Sequence, residues 1–425
     1  MSRTSEDNNA RLWVVYVAML VVGMGQTVIF AIMPMLGREL HLDQLVFSLP
    51  ILGEWQPKEL AITFLSAITA LTFFIATPWW GRRSDWVGRK PVMFVGLIGY
   101  AVGMALFNGA AYLGLAGLAA GFLLYFLLII TRVLHSMIMS AMNPAAYAYI
   151  VDCTDIQNRT RGVSKLAASN QIGTMIGPAL AWFTTVSFLA PFFLQAFLMF
   201  ICGLLVLWLL PESPVHRNKA KSVTRLDRAG QKNLSYFDPR FRLYIGIGLV
   251  MYAMFGMVQQ TLGFYFQDRL GLDGAMSAQR LSIAMVVSSA AMLFAQLFIV
   301  QRTAWPPHRL LVIGLPFCAI GYTVLALAYQ QWSLLLGMGL FGFGTGLASP
   351  GYTTCATLTV EPHEQGALAG LTTAAAGLGF VFGPLTGGFI YRFDPSYPYW
   401  LAAIVIALLS LYVWRADPKQ GSNEI

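Results

Sequence analysis

The chain is built from apolar runs about twenty residues long with almost no charge, separated by short polar stretches. A run of about 18 or more apolar residues is long enough to cross a bilayer as a helix. Twelve spans are predicted, at 12–36, 60–80, 91–113, 120–150, 163–187, 190–210, 243–266, 281–301, 309–330, 332–358, 367–391 and 398–414. The longest polar stretch, 211–242, divides six spans from six. It predicts a linker, with one or two short amphipathic turns, between an N-terminal bundle over 1–210 and a C-terminal bundle over 243–425. The first run has no small-residue cleavage site and is too long for a signal-peptide core, so it reads as a retained span.

Composition supports this reading. Of 425 residues, 57% are hydrophobic and only 11% charged, against roughly a quarter charged in soluble domains. So few charges cannot cover a water-facing surface, and the expected class is an all-α polytopic membrane protein. The net charge of +8 follows from topology rather than nucleic-acid binding. With both termini on the cytoplasmic side, that side holds 21 of the 27 Lys and Arg. The other side holds Arg38, Lys58, Arg269, Arg280 and Arg392, and Arg132 lies within a span. The cysteines Cys153, Cys202, Cys318 and Cys355 have no metal-ligand spacing and read as small buried residues. No metal or cofactor is expected.

The two halves resemble each other. A shift of 234 aligns Gln26, Thr27, Phe30, Leu36 and Gly37 with Gln260, Thr261, Phe264, Leu270 and Gly271. A shift of 206 aligns Pro144 and Gly177-Pro178 with Pro350 and Gly383-Pro384. Two matches in corresponding spans favour an internal repeat, the pattern of transporters built from two pseudo-symmetric bundles.

Three motifs stand out. The densest charge cluster joins spans 2 and 3 and reads Gly81-Arg82-Arg83-Ser84-Asp85-Trp86-Val87-Gly88-Arg89-Lys90. It resembles the signature loop of the major facilitator superfamily, with Arg83 where an apolar residue is common and Trp86 where a basic one is. Gly81 and Gly88 allow tight turns and close helix approach. Asp85 is placed to cap a helix or to pair with Arg89, which implies a gating role at the cytoplasmic ends of the bundles. A purely topogenic role explains Arg89 and Lys90 but not the spaced glycines and the acid.

Span 5 carries Gly173-Thr-Met-Ile-Gly177-Pro178, which resembles the Gly-x-x-x-Gly-Pro motif of the superfamily's antiporter branch. Ala181-Trp182 stands where that motif ends in Gly-Gly. Span 11 has the fuller form, Gly379-Phe-Val-Phe-Gly383-Pro384-Leu-Thr-Gly387-Gly388. Small residues four apart let helices approach closely, and proline bends the span, so generic packing is the competing reading.

Arg132 is the one Lys, Arg, Asp or Glu deep within a predicted span, where a charge costs several kcal/mol unless paired or hydrated. Arg132-Val-Leu-His135-Ser-Met resembles the family's span-4 arginine motif, with His135 where glutamine is usual. Arg132 and His135, three apart, share one helix face. A structural arginine satisfied by a polar side chain such as Gln26 is the alternative. Gln26, Asn143, Asn170, Gln171, Gln259, Gln260 and Gln296 are further polar residues inside spans, and each is a candidate for cargo contact or interhelical hydrogen bonding. Drug-exporting relatives often embed a carboxylate for proton coupling. Here the acids lie at span ends: Glu54, Glu59, Asp268, Asp152, Asp155 and Glu361. Coupling would then use His135, a residue type whose charge can change near neutral pH, or Glu59. Alternatively, the cargo brings the negative charge to Arg132.

The resemblance covers residues 12–414. It implies a monomeric twelve-helix transporter of a bacterial inner membrane, an efflux antiporter coupled to protons and working by alternating access. The unpaired cation favours an anionic or zwitterionic metabolite, siderophore or drug. An importer or facilitator of the same fold is the alternative. A membrane-embedded enzyme would need converging titratable residues, and only Arg132 with His135 comes near that. A sensor would need a cytoplasmic output domain, and no polar segment is long enough for one.

Overall fold

A computed structural model describes residues 11–49, 53–214, 237–303, 305–361 and 364–415. Much of the expected linker, 215–236, and both chain ends lie outside the described residues. The described residues are helical almost throughout. Eleven stretches among them are long and apolar enough to cross a bilayer. Contacts divide the chain into two compact units, Met1–Val46 with Ile68–Ala229, and Phe47–Ala67 with Gly230–Ile425.

The first unit holds α1 (Trp13–Glu39), most of α2 (Glu59–Val87), α3 (Arg89–Leu115), α4 (Gly121–Met139), α5 (Met142–Cys153), α6 (Ile156–Ile176) and α7 (Ala190–Leu209). Three features of this unit differ from the expected spans. Span 4 is α4 and α5 with a break at Ser140-Ala141, because Pro144 has no N–H for the Ser140 carbonyl. The basic cluster is not an open loop. Helix α2 runs to Val87 and α3 begins at Arg89, so Gly88 alone makes the turn, at φ +115°. L side chains rarely adopt that angle, which accounts for glycine there.

The expected fifth span, 163–187, is the one that is not a regular apolar helix. It begins earlier, at Ile156, with many polar residues, and continues past Ile176 as a 3₁₀ helix, Gly177–Thr185. Pro178 deprives the Thr174 carbonyl of its intrahelical donor. The Thr27 hydroxyl of α1 supplies the missing bond, donating to that carbonyl at 2.9 Å. The approach needed for this bond is possible because Gly173 and Gly177 have no side chain. A Cβ on Gly173 would meet the Leu20 carbonyl, and one on Gly177 would meet the Met24 carbonyl and the Thr27 hydroxyl. Helix α6 therefore rests on the α1 backbone itself.

The second unit holds α8 (Arg242–Leu270), α9 (Gly274–Phe294, extended by a π-helical turn, Ala295–Val300), α10 (Pro307–Ala326), α11 (Gln331–Thr357), α12 (Gln365–Tyr391) and α13 (Tyr397–Arg415). A short antiparallel hairpin, β1 (Phe47–Leu49) with β2 (Gly53–Trp55), precedes the start of α2 and belongs to this unit. The crossing of α6 on α1 recurs here as α12 on α8. A Cβ on Gly379 would lie 2.7 Å from the Ala253 amide nitrogen, and one on Gly383 would lie 2.7 Å from the Met257 nitrogen. The adjacent glycines serve two neighbours. Gly387 rests on Met257 and Thr261, and Gly388 on Leu60 and Thr63 of α2. The repeat read from Gly177-Pro178 and Gly383-Pro384 is thus a repeat of helix contacts, the small-residue packing that membranes favour because lipid gives helices no hydrophobic reason to associate.

The Thr27 bond gives a direct test. Thr27→Val should destabilise the purified protein by about 1 kcal/mol, the net worth of one buried hydrogen bond. In a Pro178→Ala background the Thr174 carbonyl regains a backbone donor, and the same substitution should cost less than half as much. Thermal unfolding of the four proteins in one detergent measures this coupling. Equal costs in both backgrounds would show that Thr27 does not compensate the proline.

Candidate functional site

The basic cluster is organised around Arg89 at the start of α3. Its guanidinium pairs with Asp85 of α2 at 2.7 Å and with Asp152 of α5 at 3.2 Å, and donates to the Ser84 hydroxyl at 2.6 Å. The Arg89 and Lys90 amides donate to Glu212 at 2.9 and 3.3 Å. Glu212 therefore caps α3, and its charge complements the positive end of the helix dipole. A Cβ at Gly88 would come within 2.5 Å of the Glu212 carboxylate, so this glycine serves the cap as well as the turn. Gly81 lies within α2, against Pro144 of α5. Asp85 thus pairs with Arg89. The caps on α3 come from a residue read as the beginning of the linker.

Arg132 and His135 project from one face of α4 into the first unit, 4% and 2% exposed. Arg132 donates through Nε to the Thr69 hydroxyl of α2 at 3.1 Å, and its guanidinium lies 5.4 Å from the Phe107 ring centre. Ser136, one turn on, donates to the Thr69 carbonyl at 2.6 Å. Among the described residues no carboxylate pairs with Arg132. The expected structural partner, Gln26, is replaced in that role by Thr69. His135 meets the Tyr100 ring edge-on, with centroids 4.5 Å apart, and its Nδ1 has no hydrogen-bond partner. Gly103 leaves the room for this histidine, since a Cβ there would meet its Cα at 2.7 Å.

Tyr100 joins this pair to a small cavity with room for about one water molecule. Gln26, Tyr100 and Asn143 line it together with Met139, Met142 and Met199. The Tyr100 hydroxyl donates to the Gly25 carbonyl at 3.2 Å, and the Asn143 Oδ1 is buried without a partner. Asn170 and Gln195 donate to the Met19 and Val21 carbonyls at 3.3 and 2.8 Å, so these two bind helices to one another. The α1 segment from Met19 to Thr27 is therefore held by side chains from α3, α6 and α7.

In the second unit, Gln260 of α8 is fully buried with neither amide atom hydrogen-bonded, and the Oε1 of the adjacent Gln259 is likewise buried and unpartnered. Gln296 lies half-buried in the π-helical turn of α9, a geometry that recurs at functional sites. Glu59 is the first residue of α2, where its charge favours the helix dipole. Pro384 lies within α12, following the Gly379 and Gly383 contacts described above. The candidate residues thus fall into two sets. Gln26, Arg132, His135 and Asn143 gather around Tyr100 in the first unit, and Gln259, Gln260 and Gln296 lie on α8 and α9 of the second.

Several residues of these networks give little sequence signal. Thr69, Tyr100 and Phe107 are ordinary members of apolar runs. Asn108, fully buried in α3 with both amide atoms unpartnered, was recognisable as a polar residue inside a span but stands in no motif. Asp152 and Glu212 have the charge but not the spacing of the signature loop.

Comparison with known proteins agrees with this architecture. The sequence model of the Major Facilitator Superfamily matches residues 15–374 and 277–424. Multidrug resistance protein 1 of Bacillus subtilis is 24% identical over 420 residues, covering 97% of this chain and 98% of that protein. The class B tetracycline resistance protein of Escherichia coli is 27% identical over 374 residues, covering 85% and 88%. The solved structure of the human organic anion transporter MFSD10 superposes with a TM-score of 0.65 at 16% identity, covering 96% of this chain and 99% of that one. Matched along nearly its whole length and folded into the superfamily's two sets of membrane helices, the chain belongs to the Major Facilitator Superfamily and is a membrane transporter rather than an enzyme.

Proposed function

We propose that this transporter exports a small organic molecule bearing an anionic or zwitterionic group across a bacterial inner membrane in exchange for protons, as a monomer with both termini cytoplasmic. The observation that carries this reading is Arg132, a cation buried within a span with a hydroxyl and an aromatic ring beside it and no carboxylate among the described residues. An anionic group on the cargo supplies the missing charge. The names of the curated relatives, resistance proteins for drugs and tetracycline, support export.

In this reading Gln26, Arg132, His135 and Asn143 from the first unit and Gln259, Gln260 and Gln296 from the second contact cargo as the transporter alternates. His135, edge-on to the Tyr100 ring, or Glu59 at the head of α2 carries the proton. The Arg89 cluster and the glycine crossings of α6 and α12 govern the transition between states.

Transport by the reconstituted protein tests the reading. Inverted vesicles with an imposed proton gradient should accumulate carboxylate-bearing cargo, and right-side-out vesicles should expel it. Arg132→Lys should weaken cargo binding about tenfold, because ammonium cannot reproduce a bidentate guanidinium contact. Arg132→Gln should nearly abolish binding. Normal transport by Arg132→Gln, or a cargo that is a permanent cation, would reduce Arg132 to a structural residue. Gradient-independent flux equal in both directions would instead identify a facilitator.

Asp85→Asn tests the gate separately. It removes the charge that holds Arg89 at 2.7 Å but leaves Asp152 and Glu212 in place. Cargo affinity should stay within twofold while turnover slows several-fold. Unchanged turnover would assign the cluster to helix capping and topology alone.

A further inference from the structure

In the second unit, three arginines stand at one end of the spans without the carboxylates that occupy Arg89 and Arg240. Arg302 follows α9, Arg309 begins α10 and Arg415 ends α13, and all three are exposed. The start of α10 is fixed against the end of α13 by a hydrogen bond between His308 Nε2 and the Val413 carbonyl, 3.2 Å. Residues 274–360 contain no Asp or Glu, nor does α13, so none of these helices brings a counter-charge. Among the described residues none of the three makes an ion pair. Arg240 shows the contrast: it takes both Asp238, at 2.9 Å, and Glu364, at 2.9 Å.

Two of the three rest on aromatic rings instead. The Arg302 guanidinium lies 4.8 Å from the Phe298 ring centre, and that of Arg309 lies 4.6 Å from the Trp305 ring. Ring contact steadies a guanidinium while leaving its hydrogen-bond donors unspent. Beside them Phe294, Phe298 and Trp414 are 53%, 47% and 64% exposed. Donors at the end of a span above exposed apolar and indole side chains match the two halves of a phospholipid: a charged phosphate at the interface and acyl chains below it. A soluble anion would use the donors but gain nothing from the apolar residues.

We propose that this end of α9, α10 and α13 is a binding site for an anionic phospholipid, with Arg302, Arg309 and Arg415 on its headgroup phosphate and Phe298 and Trp414 along its chains. The inference is independent of the cargo and of the direction of transport.

Native mass spectrometry of the full-length protein in mild detergent tests it, using phosphatidylglycerol and phosphatidylcholine of identical chains at equal concentration. The wild type should retain phosphatidylglycerol by roughly tenfold over phosphatidylcholine, given the attraction of each basic residue to anionic lipid. Arg302→Gln/Arg309→Gln/Arg415→Gln should bring the ratio to within twofold. Arg82→Gln/Arg83→Gln/Arg161→Gln, the same charge change on exposed arginines of the first unit, should keep most of the preference. Each single Gln variant of the site should lower the ratio partway, which keeps the test decisive if the triple variant fails to fold. Equal binding of the two lipids by wild type, or a preference that survives in the site variants, would overturn the proposal. Displacement of the lipid by millimolar inorganic phosphate would do so too, because it would make the site a general anion site.

Discussion

Lipid supplies neither water for stray backbone groups nor a hydrophobic force to press helices together, and every feature of this transporter answers to that constraint. Its clearest expression is the crossing of α6 on α1. Pro178 frees the Thr174 carbonyl, Gly173 and Gly177 let α6 reach the α1 backbone, and Thr27 donates the bond that the proline removed. None of these residues works without the others. A proline alone would leave a polar group in hydrocarbon, and a threonine alone could not reach it across a normal interhelical distance. The equivalent contact of α12 on α8 uses the same Gly-x-x-x-Gly-Pro spacing, so the sequence repeat is preserved as a pattern of backbone approach.

How much of this was legible depends on the kind of signal. Apolar runs gave the spans, because burial in lipid is a property of composition. The fifth span was the exception: α6 begins in polar residues and ends as a 3₁₀ helix, so hydropathy placed its start too late. The glycine motifs were read correctly as places of close approach, since missing side chains have that consequence in any membrane helix. The basic cluster, residues 81–90, was read as a loop, whereas all of it but Gly88 is helical. Charge density was mistaken there for irregular backbone.

Partnerships were the least legible feature. Arg132 announced itself as a charge inside a span, but nothing marked Thr69 as its acceptor or Tyr100 as the residue between His135 and the cavity lined by Gln26 and Asn143. Tyrosines and threonines are common in apolar runs, and single-sequence spacing does not say which neighbouring helix they face. Glu212 was hidden for another reason. It opens a polar stretch and reads as solvated linker, yet it caps α3 from far along the chain.

The arginines of the chain differ in what surrounds them. Arg89 faces two carboxylates and a hydroxyl, and Arg240 two carboxylates, so each is neutralised where it stands and fixes helix ends in place. Arg132 is the more deeply buried, yet beside it stand the Thr69 hydroxyl as acceptor and the Phe107 ring. Burying a cation on such terms carries a cost that a well-paired arginine avoids. A carboxylate beside it would remove that cost in every state of the transporter equally. Leaving it to be met by an incoming group makes the relief conditional on binding, and only a contact that differs between states can bias an alternating equilibrium. The absence of an acid around Arg132 among the described residues therefore fits the anionic cargo proposed above, just as the two acids around Arg89 fit a fixed joint.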